Sequence, residues 1–218
     1  MIRNLYLRAI NSNSQQIAVF TIWLFHISAL IGISIGFQDW FVSKTPLNLA
    51  LMSVLLVMHS PFHKIRFWIG MTLFFMGGML VEYLGVQYSL FFGSYEYGTN
   101  MGPKFGGVPW LIGLNWALLT MVTGVISYTL FKNTFVRIFA GASLMVFLDV
   151  FLEHSAPVFN YWQFEGGTVP LDNYIAWFVI SLIFHAIFKL LRLYANPQVS
   201  VHLYVAQLVY FFWFFSFN

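Results

Sequence analysis

Val108-Pro-Trp-Leu-Ile-Gly-Leu-Asn-Trp-Ala-Leu-Leu-Thr-Met-Val-Thr-Gly-Val-Ile-Ser-Tyr-Thr-Leu-Phe131 carries no charged residue and is bracketed by Lys104 and Lys132. A helix needs roughly 20 apolar residues to cross a bilayer core, and this run supplies them. It lacks the alternation of a membrane barrel strand, and backbone groups in hydrocarbon must be satisfied within their own segment. The stretch therefore reads as a transmembrane helix.

Six further apolar runs flank it, at Ile17–Phe37, Pro46–Ser60, Phe67–Leu84, Phe135–His154, Leu171–Leu191 and Val199–Phe215. Pro46–Ser60 is the shortest and extends back toward Trp40–Thr45 if it crosses with little tilt. Composition agrees: 60 % of the 218 residues are hydrophobic, 21 % aromatic and 8 % charged, against about 25 % charged in a soluble domain. The expectation is an all-α integral membrane protein, one polytopic domain over residues 1–218, built as a bundle of about seven transmembrane helices. Met1–Gln16 is polar with Arg3 and Arg8, and the run after it has no small-residue cleavage site, so it reads as a first span rather than a signal peptide. Cysteine is absent, which excludes disulfides, thiolate nucleophiles and Cys-ligated metal centres. The net charge of +3 comes from Lys and Arg at helix ends and gives no support to a nucleic-acid partner.

Charge orients the bundle. Arg3, Arg8, Lys64, Arg66, Lys132, Arg137, Lys189 and Arg192 fall at alternate ends that share one side, and only Lys44 and Lys104 fall on the other. By the positive-inside rule the N-terminus is cytoplasmic and the C-terminus outside. All seven acids, Asp39, Glu82, Glu96, Asp149, Glu153, Glu165 and Asp172, then lie toward the outer side. Two long connections, Gly85–Gly107 and Ser155–Pro170, are outside as well. Their Tyr, Phe and Trp content argues against disorder, so they are expected to pack on the outer mouth of the bundle.

Asp149 and Glu153 form the sharpest candidate pair. Four residues apart on one helix, they lie about 40° apart around its axis and share a face. Two carboxyl groups so close in a low dielectric favour a protonated acid beside an ionised base; the alternative is a helix that ends near Leu148 with both groups solvated. Glu82, beside Tyr83 at the outer end of the third span, either joins this cluster or anchors at the interface with Tyr83. Glu96 sits among aromatics, with an ion pair to Lys104 as the alternative to a catalytic role. Asp172 has a plain reading as a helix cap. His59 and His63, at i and i+4, could hold a divalent metal, yet no carboxylate is expected on their side, and interfacial histidines are the preferred account there, as for His185 and His202. His154, next to Glu153, is a candidate proton-transfer partner.

Gly93-Ser-Tyr-Glu-Tyr-Gly98, Gly102-Pro-Lys-Phe-Gly-Gly-Val-Pro109, Asp149-Val-Phe-Leu-Glu153 and Gly166-Gly-Thr-Val-Pro-Leu-Asp-Asn-Tyr-Ile-Ala-Trp177 together resemble the membrane-bound, CruF-type carotenoid hydratases of the carotenoid biosynthesis protein family. The resemblance covers roughly residues 80–180 with the motifs in order. Glu153-His154 stands where the family pattern has Asp-Pro, and the segment before Val169-Pro170 is short; both bear on end-group chemistry and substrate range. The resemblance implies addition of water across the terminal C1=C2 double bond of an acyclic carotenoid, with neither redox cofactor nor metal, in a bacterial-type plasma membrane. It implies Asp149 and Glu153 as acid and water-activating base in unresolved order, with Glu82 and Glu96 in support. Tyr95, Tyr97, Trp110, Trp116, Asn173 and Trp177 are then candidates to line the substrate end-group pocket. The apolar substrate can enter from the lipid bilayer, so only water must reach the acids. Rival readings are a proton-initiated end-group cyclase, a metal-dependent membrane lipid hydrolase, and a non-catalytic transporter or pigment-binding protein.

Overall fold

The computed structural model describes residues 2–217, with side chains from Asn13 onward; the side chains of Arg3 and Arg8, and so their part in the charge pattern, lie outside the described residues. The helices are α1 (Ile2–Ser34), α2 (Gln38–Val42), α3 (Thr45–Met58), α4 (Ile65–Tyr88), α5 (Trp110–Leu130), α6 (Thr134–Ser155), α7 (Leu171–Leu190) and α8 (Pro197–Phe217). Six of them are long and apolar enough to cross a membrane, the first over Asn13–Ser34. The chain is a multi-pass, all-α membrane bundle.

The second expected span differs. Its helix, α3, has 14 residues, about 21 Å at 1.5 Å per residue, short of the ~30 Å hydrocarbon thickness. Its two ends nevertheless reach opposite ends of the bundle. Thr45 Oγ1 is hydrogen-bonded to the Tyr161 hydroxyl at 2.6 Å in the α6–α7 connection. At the other end the His59 carbonyl accepts from Asn196 N at 2.9 Å, and His59 Nε2 lies 3.0 Å from Ser14 Oγ. The alternation of directions therefore holds. Bonds between Trp23 and His202 and between Ser34 and Trp213 climb α1 and α8 together, so these two helices run parallel, as an odd number of crossings requires.

Helix α5 occupies the centre: 78 % of its span is buried, against 28–39 % for the other five long helices. The outer helices turn residues such as Phe20, Leu73, Met76 and Phe139 outward, the surface a lipid-facing bundle presents. Small residues let the helices close on α5. At Gly78 of α4 an added Cβ would stand 2.6 Å from the Trp116 side chain. Asn133 caps α6 by accepting from Phe135 N at 2.9 Å and Val136 N at 3.3 Å, the expected use of Asn at a helix start.

The two long outer connections are joined to each other. Strand β1 (Tyr95–Tyr97) follows α4, and β4 (Trp162–Phe164) follows α6; the pairs are Tyr95 with Phe164, Glu96 with Gln163 and Tyr97 with Trp162, antiparallel. Between them β2 (Lys104–Phe105) and β3 (Val108–Pro109) make a small hairpin leading into α5. Because strand side chains alternate, Tyr97, Trp162 and Phe164 are buried while Glu96 and Gln163 are exposed. The result is an aromatic cap seated on the acidic end of the bundle.

Candidate active site

Three carboxylic side chains converge beneath that cap. Glu82 from α4 and Asp149 and Glu153 from α6 are 3, 3 and 4 % exposed and line one enclosed chamber of about 20 Å³. A water needs roughly 10–15 Å³ of such space, so the chamber has room for about one. The other walls include Asn173 and Trp177 of α7, Asn115 of α5, and Tyr95, Tyr97 and Trp162 of the cap; among the described residues no Lys or Arg lines it.

Each acid has a different set of donors. Glu82 is the most fully held: its Oε2 accepts from the Tyr95 and Tyr97 hydroxyls at 2.5 and 2.6 Å, and its Oε1 from Trp116 Nε1 at 2.9 Å. Burial first, and then the adjoining Glu82 carboxylate, push both phenols well above the ordinary tyrosine value, so they stay protonated and keep donating. Glu153 accepts from Trp162 Nε1 at 2.8 Å and from Asn173 Nδ2 at 3.0 Å. Asp149 receives one longer contact, 3.4 Å from the same Asn173 amide. One side-chain amide thus bridges the two carboxyls that α6 places on one face, and Asp149 is the least engaged of the three.

Residues 44–218 match the carotenoid biosynthesis protein family. The chain belongs to that family. No curated protein and no solved structure matches it.

In this carotenoid biosynthesis protein, the structure brings together Asp149, Glu153, Glu82, Tyr95, Tyr97, Asn173 and Trp177 around the chamber. Trp116 stands directly behind it, stacked on Trp177 with ring centroids 3.9 Å apart and 13° between planes. Two expected residues lie elsewhere. Glu96 is exposed on the opposite face of β1 from the two tyrosines, and Lys104, its expected partner, donates instead to the Tyr97 carbonyl oxygen. Trp110 is 44 % exposed and packs on Phe75 and Phe105. Asp172 is an exposed residue in the first turn of α7, whose cap position is taken by Pro170; there it faces the helix dipole favourably rather than capping it. His154 stacks edge-on against Phe215 and is not among the chamber's walls. His185 is buried between Thr123 and Ser181, toward the basic end.

Trp162 and Asn115 are functional candidates that the sequence reading passed over. Trp162 could have been found only by knowing that β4 pairs with β1, which turns Trp162 to the same side as Tyr97. A second, larger cavity of about 320 Å³ lies between α1, α3 and α8, walled by Phe25, Trp40, Met52 and Tyr210 among others. It shares Asn115, Leu152 and Trp162 with the acid chamber.

Proposed function

We propose that this protein hydrates the end of an acyclic carotenoid by general acid–base chemistry, with no redox cofactor. The observation that carries the reading is the enclosure of Asp149, Glu153 and Glu82 in one chamber with room for a water and, among the described residues, no cationic side chain. Asp149 delivers its proton to C2 of the terminal double bond. The π electrons form the new C–H bond and leave a tertiary cation at C1. The chamber's water adds through oxygen to C1 while Glu153 takes up its proton; the net change is one water added. Proton transfer back to Asp149, across the amide-bridged pair, resets the site.

The division of roles follows the hydrogen bonds. Asp149, sparsely bonded, is free to carry and release a proton. Glu153 is turned by two donors, Trp162 and Asn173, as an oriented base requires. Glu82 accepts from three donors and contributes a fixed negative potential beside the developing cation, with the Trp116–Trp177 stack offering ring faces nearby. The charge pattern supports an outward-facing acidic end, and in this reading the chemistry takes place near the outer leaflet of a bacterial-type plasma membrane. Glu96 has no part in this reading.

Expression in a host that accumulates an acyclic carotenoid tests it. Wild type is expected to yield pigment heavier by one water, whereas Asp149→Asn and Glu153→Gln each lower the yield by about a hundredfold or more. Pigment of changed ultraviolet–visible spectrum but unchanged mass would point to cyclisation, and full conversion by both variants would sink the site assignment.

A further inference from the structure

The acid chamber is too small for a substrate: at about 20 Å³ it holds a water, and a carbon chain must reach it from somewhere. The 320 Å³ cavity between α1, α3 and α8 is of the size of ligand pockets, about 300–1,000 Å³. Its rim is exposed and largely apolar, with Trp40 59 % and Leu47 62 % exposed and Lys44 and Ser28 beside them, while its floor is buried at Met52, Met101 and Leu152. The groove thus grades from a surface that faces lipid to a buried wall shared with the acids. That shared wall consists of Asn115, Leu152 and Trp162. Leu152 is apolar, and the Trp162 N–H is committed to Glu153. Asn115 remains as the polar side chain that faces both cavities and is not spent on an acid. The other amide and imidazole groups of the groove, Asn48, Gln207 and His26, line it without reaching the chamber.

We infer that the α1–α3–α8 groove is the binding site for the linear isoprenoid chain, entered sideways from the bilayer, and that Asn115 is the water-positioning residue at its inner end. This rests on the hydratase reading for the role of Asn115. The assignment of the groove stands on shape and continuity. A chain lying in the groove brings its terminal double bond to the Asn115–Leu152–Trp162 wall, with Asp149 and Glu153 beyond. The Asn115 carboxamide, which donates and accepts, holds the water on the groove side of the acids so that it meets C1 rather than escaping as the chain fills the space. Without it, the cation's easiest outcome is loss of a neighbouring proton, giving an isomer of unchanged mass.

The test uses the full chain in lipid nanodiscs with an acyclic carotenoid as probe, read in two independent ways. Binding is followed by quenching of tryptophan fluorescence, and turnover by product mass. Ala29→Phe, which narrows the groove away from the acids, is expected to weaken binding and raise KM about tenfold while the ratio of hydrated to isomerised product stays at the wild-type value. Asn115→Leu, close to isosteric, is expected to bind normally yet lower that ratio about tenfold or more, and Asn115→Ser, which keeps a hydroxyl and leaves room for a second water, to restore most of it. Wild type that binds the carotenoid but never adds water would end the hydratase reading and leave the groove assignment standing. Normal binding and KM in Ala29→Phe would overturn the groove assignment. An unchanged product ratio in Asn115→Leu would overturn the role of Asn115.

Discussion

Trp162 Nε1 donates to Glu153 Oε2 across 2.8 Å, and this bond ties the cap to the acid at the end of α6. The same indole ring forms part of the wall between chamber and groove. Trp162→Phe keeps the apolar bulk and removes the N–H. A hydrogen bond to a charged group is worth about 1.5–3 kcal/mol, so a loss of unfolding free energy of that order is expected in detergent. Hydrated product should fall more steeply than stability, because Glu153 then lacks one of its two orienting donors. Thermal melts and product yield, measured together, check it; equal yield from the variant would show that Glu153 needs no orientation from the cap.

Tyr97 and Glu82 offer a pH test. Burial and the Glu82 carboxylate hold the Tyr97 phenol above its ordinary value, which is about 10. A phenol whose folded value is raised keeps its full contribution to stability below that ordinary value and loses it as pH climbs toward the raised one. Absorbance titration of phenolate in the folded protein should therefore show Tyr97 titrating late, and Tyr97→Phe should remove a late component. Loss of a component near pH 10 would contradict the burial of this bond.

Glu96→Ala separates the chamber from the loop that covers it. The side chain is exposed on the far face of β1, and surface substitutions of this kind stay within about 0.5 kcal/mol in stability. Product yield in the carotenoid-accumulating host is expected to match wild type. A collapse of yield would bring Glu96 back as a catalytic group.

Gly98→Ala tests whether the cap must close. An added Cβ at Gly98 would fall 2.2 Å from the Asn160 carbonyl oxygen, a backbone atom that cannot turn aside, just where Gly98 N donates to the Tyr161 carbonyl oxygen at 2.8 Å. The two outer connections must then part. Helix content by circular dichroism should be retained while hydrated product falls about tenfold or more, as misplacement by about 1 Å near reacting groups typically costs. Retained product would mean that the cap is dispensable.

What could be read from the sequence follows from what lipid selects. A bilayer demands long apolar runs, so α4 to α8 and the outer half of α1 were visible from composition alone, and the one-sided charges oriented them. The 14-residue α3 was legible only as a short apolar run whose crossing the alternating charges required; that its ends reach opposite sides depends on Tyr161 and Asn196, far away in the chain. The pairing of Asp149 with Glu153 was legible because it rests on helical spacing within one segment. The participation of Glu82 was open until β1 brought Tyr95 and Tyr97 over it. Glu96 was misplaced for a related reason: a three-residue strand is too short to show its alternation, and which face turned inward was decided by pairing with Trp162 and Phe164, 65 and 69 residues on from their partners Tyr97 and Tyr95. Asn115 carries no local signal at all, since one amide in an apolar helix reads the same whether it faces lipid, core or cavity.

The most direct test of the central claim, that a carboxylic acid in this chamber protonates carbon and water then adds, is turnover by purified protein in D2O with an acyclic carotenoid. The account predicts product that carries one carbon-bound deuterium at C2 for each end hydrated, retained after exchange back into ordinary water, and lost together with the new hydroxyl in Asp149→Asn. Hydrated product without carbon-bound deuterium would contradict protonation by the chamber's exchangeable acids, and with it the mechanism.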